Sequence, residues 1–119
     1  MTDQERRRYP RIPDETLSLR LDTGSFDTVT HTVNISASGI YCKLDREIPL
    51  MSRVRLVLMM PDPAREAKPK SLEVEGVVVR EHPVIIDGKV KHYDAAIFFD
   101  SLRAKDRETI EQYIARKKA

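Results

Sequence analysis

Four arginines, Arg6, Arg7, Arg8 and Arg11, stand within "RRRYPRI" near the start of the chain. A guanidinium is a planar fork of donors that matches phosphate oxygens two at a time, and it also matches the O6 and N7 edge of guanine. Pro10 fixes its own φ and disfavours helix at Tyr9, so "RYPR" reads as an extended strip that presents Arg7 and Arg11. Such a cluster suits a ligand carrying both phosphate and guanine; a solvated basic arm is the plain alternative. A second group of short polar residues lies in "NISASG", where Asn34, Ser36 and Gly39 end one strand pattern and begin the next. Asn and Ser hold turns by bonding nearby backbone groups, and glycine permits backbone conformations and approaches closed to other residues.

The charge distribution sets the arginine cluster apart. Residues 1–11 hold four positive and two negative charges while the other 108 residues hold 17 of each, so the formal excess of +2 lies in the N-terminal arm. A chain of 119 residues has the size of one domain. It divides into a flexible arginine-rich arm over residues 1–14 and a folded unit over 15–119. No apolar run could span a bilayer, and "MTDQERRR" lacks the apolar segment of a secretory signal, so a soluble, cytoplasmic protein without a membrane partner is expected. Cys42 is the only cysteine, which excludes an internal disulfide. At 34% charged residues the chain is polar, yet its apolar residues fall into short periodic runs that can build a small core.

Those runs identify the elements that must carry the polar groups. Leu17, Leu19 and Leu21 alternate with polar residues, "DTGS" offers a turn, and Val29, His31, Val33 and Ile35 alternate again, which predicts a hairpin. Ile40, Cys42 and Leu44 predict a third strand. "SRVRLVLMMP" predicts a fourth, closed by Pro61 and with Val57, Met59 and Met60 facing the core. "PDPAREAKPKS" reads as a polar loop. "LEVEGVVVREHPVII" and "KVKHYDAAIFF" form a long hairpin about the Asp87-Gly88 turn, with a bulge or bend at Gly76. Leu102, Ile110, Tyr113 and Ile114 then fall on one stripe of a C-terminal helix over about residues 103–117. The fold class is mostly β: six antiparallel strands closed into a barrel, with the helix covering one open end.

Arg7-x-x-x-Arg11 followed by Asn34-x-Ser36-x-x-Gly39, in that order and about two strands apart, resembles the paired motifs of the PilZ domain family. The "GIYCKL" and "VEGVVVR" strands and the closing helix extend the resemblance over the rest of the chain. The resemblance implies a receptor for the bacterial second messenger cyclic di-GMP, a nucleotide ligand rather than a cofactor. Arg7 and Arg11 would then take phosphates and guanine Hoogsteen edges, Asn34 and Ser36 a guanine edge, and Gly39 would allow close approach of the base or the turn. Asn34 offers one acceptor where the family's aspartate offers two. Arg6 and Arg8 would add the charge needed for a stacked pair of nucleotides, two per protomer. Arg80, at the end of "GVVVR", would lie beside the ligand face, a surface strand arginine being the plain alternative, and Tyr9 would pack the arm onto the barrel, with stacking on a base as the other role open to it.

Catalysis is not expected. Ser36 has no histidine base in its pattern, and there is no phosphate loop or HExxH motif. His31, His82, His92 and Cys42 lack paired ligand spacing, so no metal is expected. Nucleotide binding would be passed on as a conformational change to a separate effector protein. Two other classes compete: a PilZ-like interaction module that binds no nucleotide, and a small barrel that binds single-stranded nucleic acid. Aromatic residues at 6% and the absence of tryptophan leave few stacking platforms for the latter.

Overall fold

The computed structural model describes residues 12–13, 17–62 and 65–118. Its strands are β1 (Ile12–Pro13), β2 (Ser18–Asp22), β3 (Asp27–Ser36), β4 (Gly39–Leu44), β5 (Arg53–Asp62), β6 (Arg65–Ile86) and β7 (Lys89–Ser101), followed by helix α1 (Ala104–Lys118). The sheet runs β3–β2–β5–β6–β7–β4, and β4 pairs back onto β3, so six antiparallel strands close into a barrel as expected. β1 pairs with the edge of β3 opposite β4, beyond the stretch that β2 occupies, with Ile12 opposite Ile35 and Pro13 opposite Asn34.

Alternation fills the interior. Leu17, Leu19, Leu21, Ile40, Cys42 and Leu44 are buried, as are Leu56, Leu58 and Met60 on β5. Full burial of such a side chain is worth about 1.5–3 kcal/mol, which is what a polar chain must recover from few residues. Ile110, Tyr113 and Ile114 of α1 join the same cluster, and Leu102 packs against it. Helix α1 therefore covers the barrel with Ile110, Tyr113 and Ile114 of the predicted stripe, while Leu102 lies two residues before its start, and it contacts β1, β3 and β5. Asp106 in its first turn is buried and accepts a hydrogen bond from Arg103 Nε at 3.4 Å, close to the helix end where a negative charge is favoured.

Four expectations change. Val29 and His31 are exposed and Val33 is half-buried; the inward positions of β3 are Thr32 and Ile35. The reason is a bulge: Thr32 opposes Cys42 and Asn34 opposes Tyr41, which leaves Val33 as an extra residue that resets the alternation. On β5 only Met60 of the three named residues points inward, while Val57 and Met59 are half-buried on the other face. That strand does not stop at Pro61 but continues to Asp62, with the register broken between Met60 and Asp62. The expected polar loop is largely strand, because β6 begins at Arg65 and pairs with β5 from there.

The β6–β7 hairpin turns through Asp87 and Gly88 at φ 53° and 76°, the doubly left-handed turn that matches strand twist. Its bulges fall at Asp100 opposite Glu75 and Gly76, at Val79, and at Lys91 near the tip. Two glycines are fixed by packing. A Cβ on Gly39 would sit 2.3 Å from the carbonyl oxygen of Ile97, and one on Gly76 would sit 2.7 Å from Ile97 Cγ2 and 3.0 Å from Phe98 O. Gly39→Ala must therefore push β4 from β7 and is expected to cost about 1–3 kcal/mol, with Gly76→Ala milder because a side chain can yield there; urea unfolding midpoints check both.

Burial, and secondarily the charge of Asp94, push the Cys42 thiol up from its usual 9.0 to about 12. The folded state holds this proton more tightly than the unfolded chain, so the associated stability is intact below pH 9 and is lost as pH rises toward 12. Unfolding midpoints measured over that range should fall more steeply for the native chain than for Cys42→Val, by up to about 1.4 kcal/mol per pH unit.

Candidate functional site

Strand register assembles the site. Pro13 on β1 opposes Asn34 on β3, Asn34 opposes Tyr41 on β4, Tyr41 opposes Ala96 on β7, and Ala96 opposes Arg80 on β6. These positions form one row across the barrel wall. Asn34, Tyr41 and Ala96 are half-buried and Arg80 is exposed, whereas Ile35, Ile40, Cys42, Ala95 and Ile97 beside them are buried, so the row lies on the outer face. At about 4.8 Å per strand, Asn34 and Arg80 stand roughly 14 Å apart, with the small Ala96 as a low floor between Tyr41 and Arg80.

A bulge precedes the residue at each end of the row. Val33 is the extra residue before Asn34, and Val79 is the extra residue before Arg80. Bulges bend a strand and re-aim the next side chain, and they gather where a site needs that adjustment.

The motif "NISASG" divides its labour. Ser36 is buried; its Oγ accepts a hydrogen bond from the Ser38 backbone N–H at 3.1 Å and lies 2.9 Å from Ser38 Oγ. The Ser38 carbonyl in turn accepts the Phe99 N–H at 2.9 Å. Ser36 thus builds the two-residue turn Ala37–Ser38, and the turn is pinned to β7. Gly39 serves the close approach of β4 to β7. Asn34 alone of the three is carried on the accessible outer face.

One pleat along from the row lie Lys43, Asp94 and His82, again in register. His92 Nε2 stands 3.0 Å and His82 Nε2 3.7 Å from the Asp94 carboxylate. Two histidines set on different strands are thus brought to one carboxylate, but no cluster among the described residues could hold a metal ion. His31 is exposed on β3 and takes no part. One pleat in the other direction lie Gly39, Phe98 and Val77, with Phe98 half exposed.

Arg6, Arg7, Arg8 and Arg11 lie outside the described residues. What the fold does place is the chain immediately after them: Ile12 and Pro13 run beside Ile35 and Asn34. Asn34 and Arg80 are brought to one face; Ser36 and Gly39 sit beneath its edge. Sequence reasoning missed Tyr41, Asp94, Ala96 and Phe98. Parity signals that Asp94, Ala96 and Phe98 on β7 and Tyr41 on β4 alternate with buried neighbours and face out, while only register across the strands shows that they share one face with Asn34 and Arg80.

Two open clefts of about 410 Å³ lie elsewhere, one lined by Asp22, Arg53, Arg55 and Glu75 and the other by Glu73, Glu75, Arg103 and Asp106. Their charges alternate in sign and partly pair, as Arg53 does with Asp100, so neither concentrates one charge on a ligand. No helix among the described residues is long and apolar enough to cross a membrane.

Comparison with known proteins agrees with the barrel. None of the curated proteins matches the chain. Among solved structures, the Bacillus subtilis inhibitor of motility MotI/DgrA superposes with a TM-score of 0.78 at 24% identity, covering 94% of this chain and 51% of that one. YcgR from Escherichia coli in complex with c-di-GMP superposes at 0.74 and 13% identity, covering 95% and 46%. The chain thus spans about half the length of these two proteins. The PilZ domain of Escherichia coli YcgR with c-di-GMP superposes at 0.65 and 17% identity, covering 95% of this chain and 96% of that one. A family model described as PilZ domain matches residues 5–116, nearly the whole barrel and the arginine-bearing approach to it, and the chain belongs to the PilZ domain family.

Proposed function

We propose that the chain is a cyclic di-GMP receptor that acts by binding rather than by catalysis, and that ligand binding is read by a separate effector protein. The observation that carries this reading is the row Asn34–Tyr41–Ala96–Arg80 on the outer barrel face, with the chain that leaves Arg11 running along its Asn34 end. Family membership supports it, as do neighbours whose solved structures contain c-di-GMP.

The chemistry follows from the ligand. Cyclic di-GMP has two phosphates and two guanines; Arg7 and Arg11 take phosphates and Hoogsteen edges, and Asn34 accepts from the N1–H and N2–H₂ edge of a guanine. Ser36 and Gly39 hold the turn behind Asn34, so the buried Ser36 hydroxyl serves the base through the turn it builds rather than by direct contact. Arg80 supplies a guanidinium at the opposite end of the row. Drawing the N-terminal arginines over this face changes the surface that a partner meets, and the basic end of α1 at Arg116 and Lys117 is a second surface for that contact.

Calorimetric titration with cyclic di-GMP tests the reading. The native chain is expected to bind, and Arg7→Ala/Arg11→Ala to bind at least about 100-fold more weakly, since each charged hydrogen bond is worth about 1.5–3 kcal/mol. Equal affinity of the two proteins, or no binding by either, overturns the receptor reading.

Arg6 and Arg8 add charge that offsets the repulsion among four phosphates, so a stacked pair of nucleotides is proposed as the saturated state. The same titration should reach two ligands per chain and drop to one in Arg6→Ala. A native ratio of one removes the paired-ligand reading while leaving the receptor reading intact.

A further inference from the structure

We infer that Phe98 is a stacking platform for one guanine of the ligand, with Arg80 at the edge of the same base. The inference rests on the reading of the chain as a cyclic di-GMP receptor and adds a contact that neither paired motif contains.

Among the described residues, the Phe98 ring stands outside the buried core cluster. Phe99, its neighbour, is the buried residue of the pair, while Phe98 is 51% exposed on the outer face. On β4 the cross-strand neighbour of Phe98 is Gly39, which brings no side chain, and on β6 it is the half-buried Val77. An aromatic ring left half in water, on the face that carries Asn34 and Arg80, offers a flat apolar surface to a planar base.

Its position relative to Arg80 completes the site. Ala96 opposes Arg80, and Phe98 lies two residues further along β7, so Arg80 and Phe98 are diagonal neighbours, a separation of about 7–8 Å. That spacing leaves room for a base to lie on the ring while the guanidinium reaches its O6 and N7 edge. Ala96 between them puts up no bulk. Asn34, two strands away on the same face, is too far to serve that base and is left for the second guanine. The two purines of one cyclic dinucleotide are then recognised differently: one by its Watson–Crick edge at Asn34, the other by its face at Phe98 and its Hoogsteen edge at Arg80.

Titration of variants of this chain with cyclic di-GMP decides the matter. Phe98→Leu keeps an apolar side chain over Gly39 but removes the aromatic face, and is expected to bind about 10- to 100-fold more weakly with an unchanged urea midpoint. Phe98→Tyr should bind like the native chain. Because the chain has no tryptophan, Phe98→Trp is a single fluorescent reporter, and its emission should be quenched in a saturable way as ligand is added. Native affinity in Phe98→Leu, or an unquenched Phe98→Trp that still binds, overturns the platform and leaves the receptor reading standing. A loss of affinity matched by a fall in the urea midpoint assigns the ring to packing over Gly39 and overturns it too. Absence of binding by the native chain defeats the receptor reading itself, and the platform with it.

Discussion

The barrel closes where β4 lies against β7, and at Gly39 the two backbones come so near that a single methyl group would fall 2.3 Å from the Ile97 carbonyl oxygen. Much else depends on this contact. The Ser38 carbonyl bonds Phe99 across the same seam, Ser36 holds the turn that delivers Gly39, and β4 can then pair with β3 on one side and β7 on the other. Without that closure the row from Asn34 to Arg80 would be two unrelated fragments on separate sheet edges.

Closure also explains why a motif proposed to bind ligand is built from residues that mostly serve architecture. Ser36 and Gly39 are buried and committed to the turn and the seam, and Asn34 is the one that faces out. The spacing of this motif is therefore set by the turn and the seam as much as by the recognition proposed for it. The bulges at Val33 and Val79 act in the same sense, because each shifts the side-chain alternation by one just before a residue that the row requires outside.

Much of this could be read from the chain. Alternation located the strands, Asp87-Gly88 the long hairpin, and the stripe of Ile110, Tyr113 and Ile114 the helix, because each depends on local periodicity or turn chemistry. β3 could not be read in the same way: a bulge is decided by what the partner strand demands, so simple alternation turns Val29 and His31 inward whereas both are exposed. The proline-rich stretch after Met60 reads as loop, yet β5 and β6 continue their pairing there, since pairing outward along a formed hairpin overrides weak local propensity. Asn34 and Arg80 were legible as site candidates from motif and strand position. Tyr41, Ala96 and Phe98 were not, because only register across β4, β7 and β6 shows that they share the same face.

The row has a consequence for how the chain becomes competent as it folds. Asn34 and Tyr41 come from the β3–β4 hairpin, whereas Ala96 and Arg80 come from the β6–β7 hairpin, so the two halves are joined only by the pairing of residues 39–44 with residues 93–98. Each hairpin forms from neighbours in sequence; the seam between them needs the ends of a loop of about fifty residues to meet, the slower kind of event in folding. A chain emerging from the ribosome would therefore display both halves of the row well before it possessed the row itself. The recognition proposed for this face would then be a late checkpoint, passed only after the last strand has docked.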